Sequence, residues 1–261
     1  MNNYKKLKTL RETNTGARLA LQLLVALGSL AALQLSLFTQ DSRAEQQELQ
    51  FKDARLKFEV NATDGDGGVQ MFLDADDWET VSIFDPKGKK IFYVRARGRI
   101  KKQGGTELFL ESAEPDFSEL SLEQLLQRFP AGKYQFRGRT LDGEELVGEA
   151  LLTHNIPDGP ELLSPAPDVL QDPQNTVVTW APVAAPNGSP IIGYQVLVVQ
   201  SDTGFPALPK VALDIIMPAD ATSLAVPPGF LLPDTEYEWE VLAIESGGNQ
   251  TLSSSFFRTT P

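Results

Sequence analysis

The 261-residue sequence contains no cysteine and one histidine, His154. Without cysteine there can be no disulfide bond, thiolate metal ligand, cysteine nucleophile or lipid-modified cysteine anchor, so packing alone must stabilise the fold. A single histidine excludes a two-histidine metal site, and no serine lies in a Gly-x-Ser-x-Gly motif. Because His154 ends a predicted strand, we interpret it as bonded to nearby backbone rather than as a catalytic base.

Positive charge is also scarce, and the chain has a formal net charge of −12. Residues 1–44 hold six Lys/Arg against two Asp/Glu, so the remainder carries −16. An acidic body disfavours nucleic acids and anionic lipid surfaces as partners. The apolar content of 41% is ordinary for a globular protein, and a change of composition near residue 157 favours two domains.

Residues 1–44 predict a signal peptide or a membrane anchor. Five Lys/Arg precede a charge-free run at residues 19–38, and Ser42 and Ala44 supply the small-x-small pattern for cleavage after Ala44. The run is also long enough to span a bilayer core of ~30 Å, so retention in the cytoplasmic membrane stays open, although its polar residues favour cleavage. Either outcome exports the body, to the periplasm or the cell exterior, behind a polar tether at residues 45–54.

Residues 55–156 predict a β-sandwich-like domain with one short helix. Runs rich in Val, Ile, Phe and Tyr alternate with turn signals, and "GVQMFLD" and "WETVSIFD" read as two separate strands. In "SLEQLLQRF", Ser121 caps a helix and Gln124 completes a capping box. The stretch "RFPAGKYQFRGRT" resembles the approach to the last strands of bacterial immunoglobulin-like domains, which favours a sandwich and implies nothing about function.

Residues 158–261 contain the stretches "NTVVTWAPVAAPNGSPIIGYQVLVV" and "LLPDTEYEWEV". Trp180 and Tyr194 lie on neighbouring predicted strands as large core residues. In order and spacing the two stretches resemble a fibronectin type III domain. The resemblance implies that Tyr237 forms a tyrosine corner, with its hydroxyl bonded to the backbone upstream and Leu232 buried beside it. The fold class is therefore all-β, with two β-sandwich domains after the export segment.

One segment departs from the fibronectin type III pattern. "SDTGFPALPKVALDIIMPAD", residues 201–220, is longer and richer in proline than the family's usual connection, so we predict a loop in which a binding surface could differ. No Arg-Gly-Asp triplet occurs in the sequence, so the family's best-known integrin-contacting motif has no counterpart.

Three Asn-x-Ser/Thr triplets begin at Asn61, Asn187 and Asn249, all near predicted turns. They would accept glycans in a eukaryotic secretory protein and would carry no meaning in a bacterium. The cysteine-free exported body favours a bacterium.

The acidic stretch "TDGDGGVQMFLDADD" is the best candidate for a calcium site, because Ca²⁺ takes six to eight oxygen ligands. Its possible ligands are Asp64, Asp66, Asp74, Asp76 and Asp77. The spacing lacks the bidentate carboxylate of a helix-loop-helix calcium motif. We therefore favour two ordinary turns flanking a strand, and predict no metal site.

The run "VRARGRIKK" is a positive patch on an acidic chain. Alternation along a strand would place Arg95, Arg97 and Arg99 on one face, as a stripe for an anion or an acidic partner, with Lys101 and Lys102 beside it. The alternative, which we favour, is a solvated strand whose cations protect an exposed edge.

We predict no catalytic residue and no cofactor. The lack of a nucleophile-base constellation favours an exported, non-catalytic binding or spacer protein of the cell envelope, with a protein or glycan partner. The alternative is an accessory or hydrolytic enzyme acting on envelope polysaccharide, although the sequence singles out no pair among its 35 acidic residues. Short predicted loops in the first domain leave little room for a deep cleft.

Overall fold

The computed structural model describes residues 48–167, 169–200, 203–208 and 210–261. The predicted signal peptide or membrane anchor at residues 1–44 lies outside the described residues. Among those described, no helix is long and apolar enough to cross a membrane. The described chain forms one compact unit with two β-sandwiches, each around its own hydrophobic core, so the predicted all-β fold is confirmed.

The first sandwich consists of seven strands and two short helices within residues 48–156. These are β1 (Leu49–Gln50), β2 (Asp53–Asn61), β3 (Asp66–Phe84), β4 (Lys90–Arg95), α1 (Gly98–Gln103), β5 (Gly105–Glu111), α2 (Leu122–Arg128), β6 (Gly132–Thr140) and β7 (Glu145–Leu152). One sheet has the order β5-β3-β2 and the other β4-β3-β6-β7-β1, so β3 contributes to both.

The length of β3 corrects the prediction of two separate strands. Its first half pairs with β2 and β5 and its second half with β4 and β6, because the register shifts between Asp74 and Trp78. The predicted Asp-Ala-Asp-Asp turn therefore lies inside a strand. Leu73 and Ala75 keep alternate positions buried up to the shift, and Trp78 resumes the buried series after it.

Helix α2 covers the core of the first sandwich through the buried Leu125. The predicted capping box is confirmed. The N–H of Gln124 donates to Ser121 Oγ at 3.3 Å, and the N–H of Ser121 donates to Gln124 Oε1 at 3.0 Å. These two bonds satisfy donors that the first helical turn leaves without partners.

The second sandwich follows from residue 158. Its strands are β8 (Leu162–Ser164), β9 (Leu170–Gln171), β10 (Val177–Trp180), β11 (Ile191–Gln200), β12 (Val211–Pro218), β13 (Ser223–Ala225), β14 (Glu236–Glu245) and β15 (Gln250–Thr259), with a 3-10 turn at Pro186–Gly188. One sheet has the order β13-β10-β8 and the other β15-β14-β11-β12, while β9 pairs with the end of β15.

Strand β12 corrects the prediction of a loop at residues 201–220. It pairs antiparallel with β11 over its full length and is the edge strand of its sheet. Its residues alternate between half-buried and exposed, which is the pattern of a strand with one face on a core. The prolines that flank β12 made the segment resemble a loop in the sequence.

Tyr237 forms the predicted tyrosine corner. Its hydroxyl accepts the N–H of Leu232 at 2.8 Å, and its buried ring stacks on Phe257 with the centroids 5.6 Å apart. The predicted burial of Leu232 is wrong, because its side chain is 51% exposed and that of Leu231 is 2% exposed. Leu232 contributes its backbone to the corner, and Leu231 fills the core.

Two further tyrosines tie strands to nearby backbone. Trp180 and Tyr194 pack together in the second core as predicted, with ring centroids 5.6 Å apart, and the Tyr194 hydroxyl accepts the N–H of Val183 at 2.9 Å. In the first sandwich the Tyr134 hydroxyl donates to the carbonyl of Pro130 at 3.0 Å. In both sandwiches, therefore, a buried tyrosine hydrogen-bonds to the backbone of the segment that precedes its strand.

We expect Tyr237→Phe to lower the free energy of unfolding by about 1 to 2 kcal/mol, because it leaves the N–H of Leu232 without a partner. The control is Tyr93→Phe, since the Tyr93 side chain is 53% exposed. Urea unfolding followed by fluorescence measures both changes. Equal stabilities for the two variants would contradict the corner's role.

Candidate functional site

A parallel strand pair joins the two sandwiches, and we call this region the junction. β2 and β15 are paired at Glu59↔Gln250, Val60↔Thr251 and Asn61↔Leu252. Just beyond the pair, the N–H of Ala62 donates to the carbonyl of Leu252 at 2.9 Å. The pairing produces one sheet of order β5-β3-β2-β15-β14-β11-β12 that runs through both sandwiches.

Asn249 lies at the centre of the junction and is 0% exposed. Its Oδ1 accepts the N–H of Phe58 at 3.0 Å. Its Nδ2 lies within hydrogen-bonding distance of Thr153 Oγ1 at 2.9 Å and of the carbonyls of Thr153 and Asn155, both at 3.2 Å. One amide thus ties the turn before β15 to β2 and to the segment after β7. Its burial also removes Asn249 as an accessible glycan acceptor.

Glu245 orders the turn that carries Asn249. Its buried carboxylate accepts the N–H of Gly247 at 2.7 Å, the N–H of Asn249 at 3.1 Å and the hydroxyl of Ser189 at 2.5 Å. A buried charge is costly unless several donors compensate it, and these three do so. The turn is therefore held in one geometry, and the Asn249 side chain with it.

His154 makes the backbone contact predicted from its position. Its Nε2 lies 2.9 Å from the carbonyl oxygen of Phe129, and its ring meets Phe58 edge-on with the centroids 5.8 Å apart. In the described part of the chain no hydroxyl or carboxylate hydrogen-bonds to His154. This histidine links the end of α2 to the strand that enters the junction.

The five aspartates proposed as calcium ligands do not converge on one point. Asp66 and Asp74 are eight residues apart on the same strand, a separation of about 26 Å. Asp76 is ion-paired with Lys52 at 2.8 Å. The acidic stretch therefore supplies no single set of ligands.

A different group of acidic side chains does converge, and we call it the carboxylate cluster. Glu59, Glu111 and Glu114 each place an oxygen within 4.8 Å of the other two. Gly68 on β3 makes room for them, because a Cβ there would lie 2.5 Å from Ser112 Oγ and 3.0 Å from Glu114 Cγ. Three such carboxylates can share a proton or offer oxygen ligands to a divalent cation.

Two members of the carboxylate cluster, Glu59 and Glu114, have raised pKa values. Burial raises the pKa of Glu59. Burial, followed by the charges of Glu111 and Glu59, raises the pKa of Glu114 to about 7. Glu59 also accepts a hydrogen bond from the Gln250 amide, so the cluster lies against the strand pair of the junction.

Arg95, Arg97 and Arg99 do not form the one-strand stripe that is the alternative to a solvated edge strand. β4 ends at Arg95 and α1 starts at Gly98, so Arg97 and Arg99 do not continue the alternation of the strand. The chain changes direction at Gly98, which adopts φ +58°, in the left-handed region that favours glycine.

A broader basic surface replaces that stripe, and we call it the basic face. Cross-strand pairing places Arg95, Thr80 and Arg139 in one row and Tyr93, Ser82 and Arg137 in the next, all pointing away from the core. The basic face comprises Phe84, Lys90, Tyr93, Arg95, Lys133, Arg137 and Arg139. It is a sheet surface that combines cations with aromatic rings.

Several cations of the basic face are partly compensated. Arg95 is paired with Glu79 at 2.7 Å, whereas Arg137 lies 3.4 Å from Glu145. Within the described residues Arg139 has no ion-pair partner. The Lys90 ammonium lies 5.4 Å and 5.2 Å from the ring centroids of Phe84 and Tyr93. Arg139, Lys90 and the exposed Tyr93 ring are therefore available to a partner.

An open groove of about 530 Å³ lies beside the junction. β2 and β7 line one side, and β11, β12 and β14 line the other. Leu151 and Ile216 are exposed at its margin. Among the described residues that line the groove Glu149 is the sole carboxylate, so it lacks the acidic pair of a glycosidase.

Sequence reasoning missed both the carboxylate cluster and the basic face. Their members are brought together by strand pairing between segments far apart in the chain. One signal was available for the cluster, because the consecutive glycines Gly67 and Gly68 within a strand indicate close approach of another segment. Nothing in "VRARGRIKK" indicated that Arg137 and Arg139 would lie beside Arg95.

No family model and no curated protein match this sequence. Solved structures that resemble it include the FN1-FN3 domains of chicken CNTN1, at 11% identity and a TM-score of 0.29, covering 82% of this chain and 66% of that one. Another belongs to a 1.5-MDa bacterial ice-binding adhesin, at 12% identity and a TM-score of 0.27, covering 83% of this chain and 66% of that one. The chain thus spans just under two thirds of each. Likenesses at these values carry no argument about function.

The carboxylate cluster predicts that stability falls as pH rises. The folded pKa of Glu114 is about 7, above its ordinary value of 4.5, so the folded state retains a proton that the unfolded state has lost between these values. We expect Glu114→Gln, relative to the wild type, to gain about 1 kcal/mol between pH 5 and pH 8, after allowance for solvent screening. Glu119→Gln, an exposed change outside the cluster, is the control. A pH-independent effect of Glu114→Gln in urea unfolding would refute the shift.

Proposed function

We propose that this chain is an exported, non-catalytic binding and spacer protein of the cell envelope, which contacts a protein or glycan partner through its sheet faces. The junction is the observation that carries the proposal. Domains joined by a flexible linker move relative to each other by default. Here a strand pair and the buried Asn249 amide hold the two sandwiches together, so their surfaces keep a constant spacing.

The basic face is the surface best suited to a partner. Arginine and tyrosine are enriched where proteins bind one another, because both supply large contact areas and directed hydrogen bonds. Arg139, Lys90 and the exposed Tyr93 offer these groups on a sheet surface. The partner that fits this surface is anionic, either an acidic protein surface or an acidic glycan.

Export is supported by sequence alone, through the charged start, the apolar run at residues 19–38 and the cleavage pattern ending at Ala44. Under this proposal the two sandwiches work in the periplasm or outside the cell. If the run is not cleaved, it anchors them to the cytoplasmic membrane.

A second candidate function is hydrolysis of envelope polysaccharide, favoured by the raised pKa of Glu114 in the carboxylate cluster. The geometry supports it less well. The three carboxylates of the cluster approach one another, with one oxygen of each within 4.8 Å of the others. The groove of about 530 Å³ beside the junction is not lined by Glu59, Glu111 or Glu114. That groove therefore does not present the cluster to a sugar chain.

We expect Asn249→Ala to lower the free energy of unfolding by about 3 kcal/mol, because it leaves the N–H of Phe58 and the carbonyls near Thr153 without partners in a buried site. The control is Asn175→Ala, an exposed asparagine of the second sandwich. Urea unfolding measures the difference. A loss of less than about 0.5 kcal/mol for Asn249→Ala would show that the amide does not hold the junction.

Photo-crosslinking in the native envelope tests the binding role. A photoreactive residue at Tyr93 on the basic face is expected to capture an acidic protein or glycan, whereas one at the exposed Leu163 of the second sandwich is not. Purified protein is expected to show no hydrolysis of envelope polysaccharide. Equal capture at both positions, or turnover that Glu114→Gln abolishes, would overturn the proposed function.

A further inference from the structure

We propose that the basic face of one copy of this protein binds the second sandwich of another copy, so that molecules associate head to tail. The inference rests on the proposed function, because it takes the basic face as a binding surface and names its partner. The partner surface, which we call the acidic face, comprises Asp214, Asp234, Glu236, Glu238 and Glu240.

The two sandwiches differ sharply in charge. Residues 158–261 contain two Lys/Arg against twelve Asp/Glu, a formal net charge of −10. Residues 55–156 contain 14 Lys/Arg against 18 Asp/Glu, a formal net charge of −4, and they hold every cation of the basic face. Each molecule therefore carries a concentrated positive surface on one sandwich and a negative surface on the other.

The acidic face is compensated within its own molecule at one end, where Arg258 lies opposite Glu236 on the neighbouring strand. Glu236, Glu238 and Glu240 alternate along β14. The cross-strand neighbours of Glu238 are Val199 and Phe256, which carry no charge. Like charges side by side on a sheet destabilise it, so a cationic partner would relieve this arrangement.

A concave site lies within the acidic face. A cavity of about 380 Å³ is lined by Asp234, Glu236, Glu238 and the exposed ring of Phe256. One cation, Arg258, also lines it and is ion-paired with Asp234 at 3.0 Å. Glu236 and Glu238 remain at its wall, where they can accept hydrogen bonds from arginine side chains.

The spacing of the arginines on the basic face matches that of the glutamates on the acidic face. Arg137 and Arg139 are two residues apart on β6, and Glu236 and Glu238 are two residues apart on β14. On a strand this separation is about 6.6 Å in both cases, so two arginines can meet two glutamates in register. Tyr93 lies in the same row as Arg137, with Ser82 between them, and adds an exposed aromatic ring to the basic face, as Phe256 does to the acidic face.

The proposed contact forms between molecules. Glu236 is at the end of β14 far from the junction, about 30 Å from Glu245. The junction holds the first sandwich near the Glu245 end of β14, so the proposed contact of the basic face with Glu236 and Glu238 is one between molecules. Because the two surfaces differ, the contact is heterologous, and repetition extends it into a chain rather than closing a dimer.

Sedimentation velocity of the full chain in a mild nonionic detergent tests the proposal with two charge-reversal variants. At about 20 mM salt the wild type is expected to form dimers and longer species, which dissociate at about 500 mM. Arg137→Glu/Arg139→Glu removes the basic face, and Glu236→Lys/Glu238→Lys removes the acidic face. Each variant alone is expected to associate more than about tenfold more weakly than the wild type. The matched controls are Lys87→Glu/Lys89→Glu and Glu119→Lys/Glu123→Lys, which lie outside both faces.

Mixing the two variants gives the decisive result. The pair retains one intact basic face and one intact acidic face, so an equimolar mixture is expected to form dimers and nothing longer. Such rescue also shows that both variants are folded. A mixture that stays monomeric, or wild-type protein that stays monomeric at low salt, would overturn the proposal. If crosslinking at Tyr93 still captured a different acidic partner, the proposed function would stand without self-association.

Discussion

The buried amide of Asn249 is the interaction on which the junction of the two sandwiches centres, beside the β2–β15 strand pair. The amide reaches β2 through Phe58 and the segment after β7 through Thr153 and Asn155. A buried amide with all its bonds made is stabilising, whereas a partly satisfied one is costly, so the surrounding strands have one favourable arrangement. The carboxylate of Glu245 beneath it fixes the turn on which Asn249 stands.

This constraint determines how the surfaces are presented. Because β2 pairs with β15, a sheet that begins at β5 continues to β12, and the two sandwiches cannot rotate independently. The basic face and the acidic face therefore keep a constant separation. The acidic glutamates of β14 and the exposed arginines of β6 remain available to partners for the same reason.

Local motifs could be read from the sequence, and contacts between distant segments could not. The capping box at Ser121 and the tyrosine corner at Tyr237 depend on residues a few positions apart, and both predictions are confirmed. Leu232 was wrongly predicted as buried because sequence spacing does not show which of two adjacent leucines faces the core. Asn249 appeared as part of a surface triplet, although its partners lie more than ninety positions away.

The carboxylate cluster and the basic face could not be predicted from the sequence for a related reason. The carboxylate cluster requires the close approach that Gly68 allows between β3 and the segment after β5. The basic face requires β4 and β6 to pair with the two sides of the second half of β3, after the register shift in that strand. Because two separate strands were expected there, the pairing that places Arg95 and Arg139 on either side of Thr80 was not predicted.

The distance between the two sandwiches tests the central claim most directly. Because the chain has no cysteine, cysteines placed at the exposed Glu119 and Asp220 carry the only spin labels, and electron paramagnetic resonance at high salt measures their separation. A rigid junction predicts one narrow distance distribution, which broadens when Asn249 is replaced by alanine. A broad distribution in the wild-type chain would contradict the account.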